Sequence, residues 1–435
     1  MRHRSWVGLL ALSSISGLPV GCDGDGGGDA GAAPPAGAQG EGEGEGDAPA
    51  GPAAFELRFH RESTGHMQFS APITAERLAQ WAESGPDPDA VEQIPELAGL
   101  PSRAWFSADG AWVAWLKDGP DLHIKLGPTA GGDIVDLDVG DRFDDLDTRS
   151  FGFAGAWAVF GIADGDRLEI RAQQAGGGAD SAPVIDLESG GGFIVDPVRP
   201  RVLANAKTSL NATQLRLVAT DGGDPEVLAE LTVQGDNTGG DYTGQEPGAF
   251  SPDGRWIALV TGGREAFDIP GELRLRVFST TVGAGGEIGG VRLGPAGQGS
   301  CQAERAPGEY SATRSGVHWA ADAGAVYVIG INRVGCGFNG VNDATGVLRI
   351  PVGADGVPGP ASVVLADDHP GEPMVIHDVA LHPAGAGPGF VVAIQTRDRA
   401  RGTALYWASP DSGVPGLVQL TEPGSADSDE GPRIR

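Results

Sequence analysis

Positive charge is scarce in this sequence: Lys and Arg together number 30 against 59 Asp and Glu, for a net charge of −29. That balance argues against binding nucleic acid and against lying on an anionic membrane surface. Cysteine is almost absent, with only Cys22, Cys301 and Cys336, so no paired-thiol zinc or redox motif exists. There is no Gly-x-Ser-x-Gly elbow, phosphate loop or His-Glu-x-x-His, and no motif calls for a cofactor or a metal. Beyond the first residues, no apolar run is long enough to span a bilayer.

The N-terminus gives an address. Arg2, His3 and Arg4 precede the apolar stretch Trp6 to Leu18, which is short for a membrane span and reads as a signal peptide over residues 1–21. From Asp23 to Ala54 the chain is rich in Gly and acids and has no Lys, Arg, aromatic or β-branched residue. Such a segment cannot build a core. Residues 22–54 are expected to be a disordered tether with a reach of about 30 Å. After residue 54 acids still outnumber bases by 24.

What is present in quantity is a repeat. Phe250-Ser-Pro-Asp-Gly254 is turn chemistry, and Arg255 to Val260 is a β-forming run apolar enough to be covered on both faces. Trp105-Phe106-Ser-Ala-Asp109-Gly110 before Trp112 to Leu116 repeats the pattern. Weaker copies start at Phe151, Phe193, Val317 and Val379, making six, and each is trailed by two more strand-like runs. Repeated four-stranded units predict an all-β fold, a β-propeller of four-stranded antiparallel blades.

The motif resembles the WD40-like repeat of TolB-type propellers, in which a Phe/Trp-Ser-Pro-Asp-Gly turn precedes an Ile-Ala-Phe strand. The resemblance covers roughly residues 101–431 and implies a propeller domain over residues 101–435. Val418 to Thr421 resembles that family's last blade strand, and Glu430-Gly-Pro-Arg433 the run-in to a following turn. Residues 55–100 lack the repeat. They are expected to form an irregular strand and helix cap on a six-bladed ring, with Thr74 capping a helix that contains Leu78 and Trp81; the alternative is a seventh blade. Leu18-Pro-Val-Gly-Cys22 resembles a bacterial lipobox, which makes Cys22 the expected lipidation site. The chain is therefore expected to be lipid-anchored to an inner or outer membrane of the cell envelope, with the domain in the periplasm or at the cell surface.

Propeller topology puts the Asp-Gly turns at one end and most long segments at the other, among them Val139 to Ser150, Val233 to Gly248, Thr261 to Glu272, Gly294 to Gly316, Asn332 to Gly346, Asp367 to Asp378 and Gln395 to Thr403. Binding residues concentrate on such loops. Tyr242, Arg264, Arg305, Tyr310, Arg333, Phe338, His369, His377 and Arg397 fall there, and Arg and Tyr are residue types that anchor interfaces. Cys301 and Cys336 map to the same end and are expected to form a disulfide in an exported protein. Asp367-Asp368-His369 with His377-Asp378 and His382 has metal-like chemistry, but its spacing matches no metal motif, so surface histidines are the preferred reading. Asp141, Asp144, Asp145 and Asp147 read as a solvated acidic loop.

The expected function is a monomeric binding or scaffold module for an envelope protein or polymer, touching the membrane only through its anchor. The alternative is a saccharide or small-ligand binder, with a metal-assisted lyase or hydrolase as its catalytic variant. No catalytic residue is assigned.

Overall fold

The Asp-Gly turns set the local structure. In the computed structural model, Ser107 and Ser251 organise two superimposable networks. Each Ser Oγ accepts from the Trp112 or Trp256 N–H at 2.9 Å and donates to the Asp109 or Asp253 carboxylate at 2.6 Å. The same carboxylate accepts the Ala111 or Arg255 N–H at 3.0 Å. Gly110 and Gly254 donate N–H to the Ser carbonyl at 2.8 Å with φ of 67° and 68°, a left-handed conformation that glycine adopts without steric cost. Thr129 and Thr280 hydroxyls close the arrangement on the Gly carbonyls. Burial works to raise the Asp253 carboxyl, but the Ser251 hydroxyl, the Arg255 N–H and the Arg255 guanidinium outweigh it and hold it below the ordinary range.

The structure describes residues 54–61, 67–94, 104–117, 123–137, 151–164, 167–177, 181–187, 191–209, 212–232, 248–261, 274–281, 286–293, 311–333, 343–365, 374–381, 389–396, 403–409, 417–422 and 429–434. In chain order the elements are β1 (Phe55–Arg61), β2 (Met67–Ile73), α1 (Ala75–Ser84) and β3 (Glu92–Gln93). Blade one follows with β4 (Ala104–Phe106), β5 (Trp112–Lys117), β6 (His123–Pro128) and β7 (Val135–Leu137). Blade two is β8 (Phe151–Ala154), β9 (Trp157–Asp164), β10 (Arg167–Gln174) and β11 (Ala182–Leu187). Blade three is β12 (Gly191–Val195), β13 (Arg201–Ser209), β14 (Ala212–Ala219) and β15 (Glu226–Thr232). Blade four is β16 (Gly248–Phe250), β17 (Trp256–Thr261), β18 (Arg274–Ser279) and β19 (Glu287–Arg292). Blade five is β20 (Ser311–Trp319), β21 (Ala325–Arg333), β22 (Asp343–Pro351) and β23 (Ser362–Leu365). Blade six is β24 (Met374–Leu381), β25 (Phe390–Thr396), β26 (Ala404–Ala408) and β27 (Leu417–Gln419), and β28 (Asp429–Ile434) ends the described chain.

Seven four-stranded antiparallel sheets result, arranged in a ring. Six have their strands in sequence order. The seventh runs β28-β1-β2-β3. Residues 55–93, for which a cap was the favoured expectation, therefore supply three strands of a blade whose first strand comes from the C-terminal end. The segment resembling a run-in to a missing turn is that first strand. It pairs with β1 in the register Leu57↔Ile434 and Arg61↔Asp429. The expected helix is present as α1: Thr74 Oγ1 accepts the Arg77 N–H at 3.2 Å, and Leu78 and Trp81 are buried against blade six.

Alternation along each strand makes the ring. Successive side chains point to opposite faces of a sheet, so Val202 and Ala204 pack toward blade two while Leu203 packs toward blade four. Each seam between neighbouring blades carries one apolar cluster. Two-sided burial is why the strands read as nearly continuous apolar runs. The clusters are unequal. At the seam between blades seven and one, Ala104 and Val113 are buried among the described residues, with Ile94, Phe106 and Trp115 packed on them. Within blade seven the β28–β1 ladder carries an ion pair: the Asp429 side chain is fully buried, and the Arg61 guanidinium grips it with two hydrogen bonds of 2.7 and 2.9 Å.

Polar locks join other seams. Arg201 Nε donates to the buried Asp196 carboxylate at 2.7 Å, and its terminal nitrogens reach across to the Gly254 and Thr280 carbonyls of blade four. Trp319 Nε1 of blade five donates to the Ala249 carbonyl of blade four at 2.9 Å.

Candidate binding face and the inner rim of blades five to seven

Antiparallel order fixes which connections share an end. At the Asp-Gly end the chain turns between first and second strands and between third and fourth. The third-to-fourth connections there include residues 129–134 and 220–225 and, in blade seven, the longer 74–91 that carries α1. The opposite end receives residues 138–150, 233–247, 262–273, 293–310, 334–342, 366–373 and 397–403. Three of the expected loops are shorter than the sequence suggested. β20 begins at Ser311, β22 at Asp343 and β24 at Met374, so strand structure extends into each of them.

Among the residues expected to bind, Arg333 and His377 lie on described strands. Arg333 ends β21, paired with Asp343 at the start of β22, and so sits at the loop-rich end. His377 lies in β24. Tyr242, Arg264, Arg305, Tyr310, Phe338, His369 and Arg397 lie outside the described residues, as do Cys22, Cys301 and Cys336. Among the described residues no group of three or more His, Cys, Asp or Glu gathers to hold a metal, and no helix is long and apolar enough to cross a membrane.

A feature not picked out from sequence appears on the inner strands. In blades one to four the first strand pairs with the second in unbroken register. The three following blades depart from it. In blade five, residues 313–316 stand opposite Ile329 alone. In blade six, His377 is an extra residue between Ile376 and Asp378. In blade seven, Gly431 and Pro432 stand opposite Phe59 alone. Such bulges bend a strand, leave backbone groups out of the ladder and re-aim side chains, and they are common beside functional sites.

His318 follows the first bulge. Its Nε2 is buried and has no hydrogen-bond partner. Gly316, at φ of 94°, closes over it: a Cβ at that position would lie 2.6 Å from Nε2. Burial pushes the imidazole below its ordinary pKa, while the Asp378 carboxylate on β24 pulls weakly the other way. Asp378 also accepts the Val379 N–H at 2.8 Å. A signal for His318 did exist in the sequence. It occupies the slot held by Trp105, Gly152, Ile194, Ala249 and Ala380 in the other copies, which are all apolar or glycine.

No family model matches the chain, and no curated protein matches it. Among solved structures it is similar to the periplasmic gluconolactonase of Pseudomonas aeruginosa, with 13% identity and a TM-score of 0.49 over 88% of this chain and 99% of that one. A protein from Lactobacillus plantarum gives 14% identity and a TM-score of 0.47 over 87% of this chain and 100% of that one. TolB from Acinetobacter baumannii gives 11% and 0.42 over 88% of this chain and 66% of that one. At this level the likeness is one of fold alone.

Proposed function

We propose that this protein is an exported, lipid-anchored propeller that binds a protein or polymer of the cell envelope through its loop-rich end. The observation that carries the reading is the contrast between the two ends. At the Asp-Gly end, Ser107, Asp109, Ser251 and Asp253 are spent on their own turns. Side chains and backbone groups so engaged have little left for a ligand. Most of the longer connections fall at the other end, where the sequence is expected to place Arg, Tyr and Phe, types that anchor interfaces. Two-sided burial of the strands leaves the ends of the ring as its available surfaces.

The test is crosslinking of the full-length protein in its native cells, followed by identification of what copurifies. A variant carrying Arg333→Glu and Arg397→Glu serves as control. A small set of envelope components, lost in the variant, is the expected result. Equal recovery of bulk membrane proteins from both would overturn the reading.

A further inference from the structure

We infer that His318 is a proton-sensitive catch on the inner rim: while the imidazole is neutral, Gly316 at the end of the bulge 313–316 packs against Nε2, and when it is protonated that bulge is driven off. Three observations meet at this point. Nε2 has no acceptor within reach, so in the closed arrangement the proton of the neutral ring belongs on Nδ1. Gly316, at φ of 94°, lies so close to Nε2 that a Cβ there would come within 2.6 Å of it, and a glycine has no side chain to which an Nε2–H can donate. A buried donor without a partner is costly, and a buried charge more so. The cover is also the softest backbone nearby, because residues 313–316 face one residue of β21 and so lack regular ladder bonds.

The surrounding groups leave His318 to dominate the response. The described ionisable side chain acting on it from β24 is Asp378. Tyr327, its cross-strand partner on β21, is buried. β16 and β17, packed on the other face of β20, carry no ionisable residue. The backbones of the two bulges also carry Arg314 and His377, and the histidine is tested separately. The sign follows from burial. A base whose proton affinity is depressed in the closed state favours that state above its ordinary range. As pH falls below about 6.5 the open state takes up the proton first, and closure is lost progressively until the closed-state pKa is passed.

The experiment is hydrogen–deuterium exchange on the full chain at about pH 7.5 and about pH 5.5, on either side of the ordinary imidazole range, corrected for intrinsic exchange. Peptides covering 311–319 are expected to open several-fold more at the lower pH, to a ceiling of about tenfold, because that pH lies about one unit below the ordinary imidazole pKa. Peptides covering β17 and β18 should show no such increment. His318→Gln should abolish it and His377→Gln should preserve it. Gly316→Ala, whose Cβ collides with Nε2, should exchange rapidly at both pH values. The inference is overturned by an absent increment in the wild type, by one that survives His318→Gln or disappears in His377→Gln, or by slow exchange in Gly316→Ala.

Discussion

Removing Arg61 should unfasten the ring. Asp429 has a fully buried carboxylate, and the Arg61 guanidinium meets it with two hydrogen bonds while passing over the Phe59 and Phe69 rings. Arg61→Ala leaves that carboxylate buried and without its cation, which in comparable pairs costs about 3–5 kcal/mol. Asp429→Ala is different, because the Arg61 side chain is 22% exposed and its head can turn toward water. That variant should lose only about 1–2 kcal/mol. The double variant should fall near the Asp429 single rather than the sum, since the stranded charge is gone. Denaturant unfolding of all four proteins provides the cycle. If both singles cost under about 1 kcal/mol and the double is additive, the pair behaves like a solvent-screened surface contact and the latch argument fails.

Two other substitutions test the turns. Gly254→Val puts a β-branched side chain at φ of 68° with its Cβ about 3.2 Å from an Asp196 carboxylate oxygen, and at least about 2 kcal/mol should be lost; an unchanged melting temperature would refute the turn assignment. Ala323 occupies the matching turn position of blade five at φ of 57°, the only non-glycine with positive φ among the described residues. Ala323→Gly relieves about 1–2 kcal/mol of left-handed strain and gives up about 0.8 kcal/mol of methyl burial. Stability should hold or rise slightly, and a loss above about 1 kcal/mol in thermal unfolding would count against the strain.

The blades were legible where local chemistry and burial agree. Phe250 to Val260 announces both a turn and a strand buried on two sides, and Trp105 to Leu116 repeats it. Blade seven was harder because its ladder is not local: β28 and β1 lie at opposite ends of the sequence, so no turn motif joins them and the pairing of Leu57 with Ile434 has no short-range signature. The capping role of Thr74 and the buried pair Leu78 and Trp81 could be read, since a helix start depends on neighbours in sequence. The sheet to which that helix belongs could not. His318 was visible as a polar residue in an apolar slot, yet its meaning depends on Gly316 folding over it and on Asp378 in the next blade. Bulges at 313–316, at His377 and at Gly431–Pro432 are properties of pairing, which a count of apolar positions does not contain.

These irregularities also bear on where recognition is to be sought. A regular inner strand uses its backbone in the ladder and its side chains in the two seams, so blades one to four have little to offer along the rim. Blades five, six and seven each place extra residues in the inner strand, and the freed backbone groups need partners from water, from neighbouring loops or from a ligand. The ring is therefore asymmetric in two senses, from end to end through its connections and around its circumference through its bulges. A partner that engages the loop-rich end is expected to make its most selective contacts over blades five to seven. Charge reversal at Arg333, on the loop-rich edge of blade five, should then weaken association more than reversal at Lys207, near the corresponding end of blade three, whose inner strand is regular. Equal losses at the two positions would show that the bulged arc has no special part in recognition.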